Sequence, residues 1–103
     1  MASTLALCII VKNEQQFLPY CLASVHKYCD EIIVVDTGST DRTIEIAKAF
    51  GAYVIQTPWT NDFSLVRNIS QSAASSDWIL WLDGDEVLSE AGIKKIKNQL
   101  IND

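Results

Sequence analysis

Asp77–Leu88 reads DWILWLDGDEVL. Its first half contains an unbroken apolar run, WILWL, with large side chains for both faces of a strand. Its second half sets Asp83, Asp85 and Glu86 within four positions. Carboxylates this close repel one another unless something positive sits among them.

Working outward, EIIVV from Glu31 is a second apolar strand, running into the turn DTGSTD and a helix from about Arg42 to Phe50. Gly51 stands where that helix needs a left-handed residue to stop. LALCIIV, Leu5–Val11, is the first strand and ends at KNE. Asn13 is expected to cap a helix from Glu14 to about Tyr28, with Phe17, Leu18, Cys21, Leu22 and Val25 at helical spacing. AYVIQ is a third, shorter strand, TPWTNDF a loop, and a helix is expected from about Ser64 to Ala74. Ser89 caps a last amphipathic helix, EAGIKKIKNQLI. Strands alternating with helices give the α/β class: three α/β/α layers around a mostly parallel sheet of about four strands. Ligands of such sheets bind beyond the carboxyl ends of the strands, near the point where strand order reverses. Lys12, Asn13 and Glu14 follow the first strand there, Asp36 to Asp41 the second, and Asp83 to Glu86 the fourth.

The 103 residues suffice for a single domain, and 49% hydrophobic with 20% charged residues describes a folded globular chain rather than a disordered one. A net charge of -5, with eight Lys and Arg in no long block, argues against nucleic acid as a partner. The acids would need a metal between themselves and any phosphate. Three cysteines without paired spacing suit reduced thiols and a cytoplasmic protein. LALCIIV is seven residues long, too short to span a bilayer, and no basic segment precedes it as in a signal peptide.

Asp36 lies about twenty residues beyond the first strand, where an acid commonly hydrogen-bonds a nucleoside. The plainer reading is a turn with Asp41 or Thr40 as helix cap. Asp83 and Asp85, one residue apart at a strand end, suit Mg²⁺ or Mn²⁺ shared with substrate phosphates, against the plainer reading of a solvated acidic turn. Trp78 and Trp81 point to opposite faces and are expected in the core, while Trp59 in its loop is the better ligand-facing aromatic. His26 is expected to be exposed and not catalytic. Lys94, Lys95 and Lys97 mark the solvated face of the last helix.

Four segments in this order, CIIVKNE (Cys8–Glu14), EIIVVDTGSTDRT (Glu31–Thr43), DFSLVRN (Asp62–Asn68) and WILWLDGDE (Trp78–Glu86), resemble the nucleotide-binding half of a family 2 glycosyltransferase. The resemblance spans nearly the whole chain and implies a Rossmann-like GT-A fold. It implies a donor site of Val11, Asn13, Glu14, Asp36, Gly38, Ser39, Arg67, Asp83, Gly84 and Asp85. Asp36 would meet the base or ribose, Asp83 the ribose side, and Asp85, with Asp83, the Mg²⁺ or Mn²⁺ bridging the diphosphate. Glu86 stands where many relatives carry another Asp. The implied reaction is inverting transfer from a nucleotide sugar, UDP-linked by expectation, to an acceptor whose identity, membrane-proximal or otherwise, is open. Relatives draw the general base and acceptor platform from a second half. Residues 1–103 are thus expected to be a donor-binding part that does not transfer sugar by itself.

Two other classes stand beside this one. A dinucleotide-binding oxidoreductase needs a glycine-rich turn after the first strand, and VKNEQQ has no glycine. A non-catalytic nucleotide-binding or receiver-like signalling module shares the small parallel sheet, but its acidic pair belongs after the first strand. If strand four lies beside strand one, it is a free edge, and self-association through that edge is expected.

Overall fold

The computed structural model describes residues 3–101. Its strands are β1 (Leu5–Val11), β2 (Glu31–Asp36), β3 (Tyr53–Gln56) and β4 (Trp78–Trp81). Between and after them run α1 (Leu18–Val25, extended by a 3-10 turn over His26–Tyr28), α2 (Thr43–Ala49), α3 (Phe63–Ala73) and α4 (Glu90–Ile101). All strand pairs are parallel, in the order β3-β2-β1-β4. The chain runs outward from β1 through β2 to β3, then returns to lay β4 on the other side of β1. Strand order therefore reverses at β1, and the crevice expected of a parallel sheet opens at its carboxyl end.

Period-two alternation sorts β1 between two helical layers. Leu5, Leu7, Ile9 and Val11 join one buried cluster with Leu18, Leu22 and Val25 of α1, Ala47 of α2 and Ile93 of α4. Cys8, on the opposite face, meets the α3 layer through Ser70. β1 and β2 are almost wholly buried, which explains their continuous apolar runs. β4, like β3, is a border strand. Trp78 is exposed, and Ile79, Leu80 and Trp81 are half-buried.

The opposite rim is tied by side chains. Asp30 accepts from the Leu5 amide at 2.7 Å, Asp77 from the Thr4 amide at 3.0 Å, and Glu31 from the Ser75 and Ser76 amides at 2.7 Å each. Burial pushes the Glu31 carboxyl up, but these amides and the two serine hydroxyls outweigh it and hold the group below the ordinary range.

Helix boundaries hold at three places and move at one. Gly51 has φ +80, the Ser89 hydroxyl accepts from the Gly92 amide at 3.0 Å, and Asp62 caps α3 by accepting from Leu65 at 3.0 Å. The first helix begins at Leu18, not Glu14, and Asn13 does not cap it. Asn13 has φ +53, and its side chain is engaged across the crevice. Pro19, tolerated only in a helix's first turn, marks the true start.

Candidate functional site

Three segments meet at the carboxyl end of the sheet. The ladder between β1 and β2 continues one step, as Thr37 donates from its amide and its hydroxyl to the Val11 carbonyl at 3.0 and 3.2 Å. Beyond it the first two loops are zipped by side chains. The Asn13 amide donates to Ser39 Oγ at 2.8 Å, and Asn13 Oδ1 accepts from the Thr40 amide at 2.8 Å. Glu14 donates its amide to Thr43 Oγ1 at 2.8 Å, and Gln15 Oε1 accepts from the Arg42 amide at 3.0 Å. Asp41 takes the Thr43 hydroxyl and amide at 2.5 and 2.9 Å, which holds its carboxyl below the usual carboxylate range. Asp41 thus ties down Thr43 from one residue outside the N-cap of α2, which is Arg42 and carries no side-chain cap.

Asp36 is 2% exposed and folded onto its own turn. Its Oδ1 accepts from the amides of Gly38 and Ser39 at 3.0 and 2.8 Å, and its Oδ2 accepts the Ser39 hydroxyl in a short contact. Gly38, at φ +122, supplies a backbone geometry that a side chain would strain. A hollow beside this turn is walled by Asp36, Ser39, Gln56 and Thr57. Gln56 and Thr57 come from the end of β3, and no motif in the sequence marked them.

The acidic turn after β4 is closed internally. Asp83 donates its amide to Glu86 Oε1 at 2.7 Å, and Glu86 returns its amide to the Asp83 carbonyl at 3.0 Å. Glu86 is thus the fastener of the turn. Gly84 is buried against β1: a Cβ there would lie 3.1 Å from both Val11 Cγ1 and Glu14 Cγ. Beneath it the Cys21 thiol donates to the Asp83 carbonyl at 3.6 Å. Burial, and then the carboxylates of Glu86, Asp85, Asp83 and Glu14, push that thiol up to about 11. The buried sulfur thereby registers the negative field of this edge.

Asp83 and Asp85 are exposed, and their carboxylates accept no hydrogen bond and form no ion pair among the described residues. Also among the described residues, no group of three or more His, Cys, Asp or Glu side chains is arranged to hold a metal ion. Two free carboxylates fit a hard divalent cation that completes its shell with water and phosphate oxygens, and do not make a closed protein site.

A groove leads away from this turn between β1 and α3. One end is lined by Arg67, Trp81, Asp83 and Glu86, the other by Val11, Glu14, Thr37 and Trp59, with Ile10 and Phe63 common to both. The Arg67 guanidinium lies 4.6 Å from the Trp81 ring centroid, a cation–π contact that holds its charge beside the acids. Arg67 sits in the second turn of α3. Trp59 meets Phe63 edge-on at 6.5 Å and donates from its indole to Asn61 Oδ1 at 2.9 Å. Trp81, expected in the core, is half-buried and lines the groove because β4 is a border strand.

The structure thus gathers Val11, Glu14, Arg67, Asp83 and Gly84 around one groove, and Asn13, Asp36, Gly38 and Ser39 around the neighbouring turn. Asp85 projects at the rim of the acidic turn. His26 is exposed at the far end of α1, with its ring edge-on to Phe50 at 5.3 Å. Lys94 pairs with Glu90 at 3.0 Å and half-buried Lys97 with Asp30 at 3.9 Å, so only part of that lysine face is free solvated charge. Among the described residues no helix is long and apolar enough to cross a membrane.

Known proteins resemble this chain in sequence and fold. The family model for glycosyl transferase family 2 matches residues 6–103. A TPR repeat-containing protein of Synechococcus elongatus is 50% identical over 95 residues, 92% of this chain and 24% of that protein. An uncharacterized glycosyltransferase of Rickettsia typhi is 43% identical over 82 residues, 80% of this chain and 28% of its own length. The chain thus spans about a quarter of these relatives. Among solved structures, glucosyl-3-phosphoglycerate synthase from Mycobacterium tuberculosis in complex with UDP superposes with a TM-score of 0.71 at 27% identity, over 82% of this chain and 35% of that one. The same enzyme has been crystallised with Mn²⁺, UDP-glucose and phosphoglyceric acid. A parallel sheet reversing at β1, an acidic turn at its carboxyl edge and a match over residues 6–103 place this chain in glycosyl transferase family 2, with a GT-A fold.

Proposed function

We propose that the chain is the nucleotide-sugar-binding part of a glycosyltransferase that takes a UDP-sugar as donor and transfers its sugar with inversion. The observation that carries this reading is the pair of exposed, unpartnered carboxylates, Asp83 and Asp85, in the turn after β4, with Asp83 lining the same hollow as Arg67. Their residue type fits Mg²⁺ or Mn²⁺ shared with a diphosphate, and a structural neighbour crystallised with UDP-glucose and Mn²⁺ supports that ligand class. When bound, such an ion neutralises the charge gathering on a departing nucleoside diphosphate.

The chain's own groups divide the remaining work. Arg67 offers a fixed cation to a diphosphate oxygen at the end of the groove. The Asp36–Ser39 turn offers a rigid polar wall to the nucleoside. Gly84 lets the acidic turn lie against Val11, so that Asp83 and Asp85 stand at the rim rather than above it. The border position of β4 supports a further role of that strand in pairing with another chain.

A thermal-shift series with nucleotide sugars, with and without Mn²⁺, tests the reading, because a ligand bound only by the folded state raises the melting temperature. UDP-sugars should raise it in Mn²⁺, and Asp85→Asn should remove the metal-dependent part. No shift with any nucleotide sugar in either condition would refute it.

A further inference from the structure

Asn13 is one of only two described non-glycine residues with a left-handed backbone. It is exposed, and its polar links all run to Ser39 and Thr40 in the turn after β2. A left-handed conformation strains an ordinary residue and is least costly for Asn and Asp among side chains. Here it aims the Asn13 amide at Ser39 Oγ, 2.8 Å away. With that oxygen accepting, the Ser39 proton is directed at Asp36 Oδ2. On the other side Asn13 Oδ1 receives the Thr40 amide at 2.8 Å. One residue therefore grips the turn on both flanks of Ser39 and sets the direction of a hydroxyl inside it.

We propose that Asn13 is a positioning residue: through the relay from its amide to Ser39 Oγ to Asp36 it holds the Asp36–Ser39 turn in the form that receives the nucleoside, and it does not itself bind the donor. The family resemblance implies Asn13 among the donor contacts; in the structure its amide goes to Ser39 and its carbonyl oxygen to Thr40. The inference rests on the UDP-donor reading for what the turn receives, whereas the relay stands on geometry alone.

Three substitutions separate the parts. Asn13→Gly keeps the left-handed backbone and loses the link to Thr40. Asn13→Asp keeps both, and Asn13→Ala loses the link and strains the backbone. Amide hydrogen exchange at Gly38 and Ser39, whose N–H groups are held by Asp36, reads the relay without any ligand. Calorimetric affinities for UDP and for inorganic pyrophosphate, both in Mn²⁺, read its consequence, since pyrophosphate has no nucleoside to meet the turn. Asn13→Ala should speed exchange at both amides and weaken UDP by about tenfold relative to pyrophosphate, with Asn13→Gly between it and the wild type. Asn13→Asp should restore the exchange rates and the UDP-to-pyrophosphate ratio, the ratio cancelling the effect of its added charge. Unchanged exchange in Asn13→Ala, or equal weakening of UDP and pyrophosphate, would overturn the proposal. A wild-type chain that binds no UDP would overturn the donor reading and the nucleoside role with it, and exchange alone would then decide whether the relay exists.

Discussion

Replacing Gly84 by alanine tests whether close packing against β1 sets the position of the acidic turn. The added Cβ would sit 3.1 Å from Val11 Cγ1 and 3.1 Å from Glu14 Cγ, a few tenths of an ångström inside ordinary contact. Glu14 can swing aside because its stem is long and half-buried. Val11 cannot: it is 3% exposed, β-branched and held in the middle of the sheet by its register with Asp36. The turn must therefore lift. Overpacking of this kind costs about 1–3 kcal/mol. At about 4–8 °C per kcal/mol for a domain near this size, the melting temperature should fall by at least about 4 °C. Lifting should also weaken Mn²⁺-dependent UDP binding, because Asp83 and Asp85 move with the turn. Differential scanning fluorimetry and calorimetry measure the two effects. Val11→Ala in the Gly84→Ala background should restore binding more than Glu14→Ala does, since it removes the contact that cannot relax. A Gly84→Ala chain with unchanged melting temperature and unchanged UDP affinity would refute the steric reasoning.

Alkaline pH offers a second check. The Cys21 thiol is pushed up to about 11 by burial and by the surrounding carboxylates, above its unfolded value. Its contribution to stability is therefore full below about pH 8.5 and is lost as pH rises through the folded value. Urea denaturation between pH 8 and 11 should show stability falling, with a shallower fall in Cys21→Ala; identical slopes would show that burial and the nearby carboxylates do not raise this thiol. A third expectation concerns β4, whose outer backbone edge and exposed Trp78 are open to pairing. Light scattering across a dilution series should show concentration-dependent association, reduced by Ile79→Lys, and a chain that stays monomeric at its highest soluble concentration would remove that expectation.

The architecture was legible because each strand announces itself as an apolar run bounded by polar turns, and alternation with helices leaves a parallel sheet as the economical solution. Ser89 and Gly51 mark their helix ends by chemistry local to a few residues. Asn13 was misread for the opposite reason: its partners Ser39 and Thr40 lie 26 and 27 positions away, so its role belongs to tertiary structure. Pro19 could have corrected the helix start, since it fits only a first turn. Trp81 was assigned to the core because an apolar run does not reveal whether a strand is central or at the border. Asp83 and Asp85 were legible as a motif, whereas Glu86 as the fastener of their turn required the distance from its carboxylate to the Asp83 amide. Gln56 and Thr57 carry no signal of their own and became part of the site only through the strand order.

The central claim is that Asp83 and Asp85 serve a diphosphate through a divalent cation. Calorimetric titration of UDP into the chain, once in Mn²⁺ and once in EDTA, tests it most directly. With a net charge of -5 and the acidic turn at the mouth of the groove, the carboxylates should repel a bare diphosphate. The account predicts measurable binding in Mn²⁺, little or none in EDTA, and loss of the difference in Asp85→Asn. Equal affinity in the two conditions would contradict it.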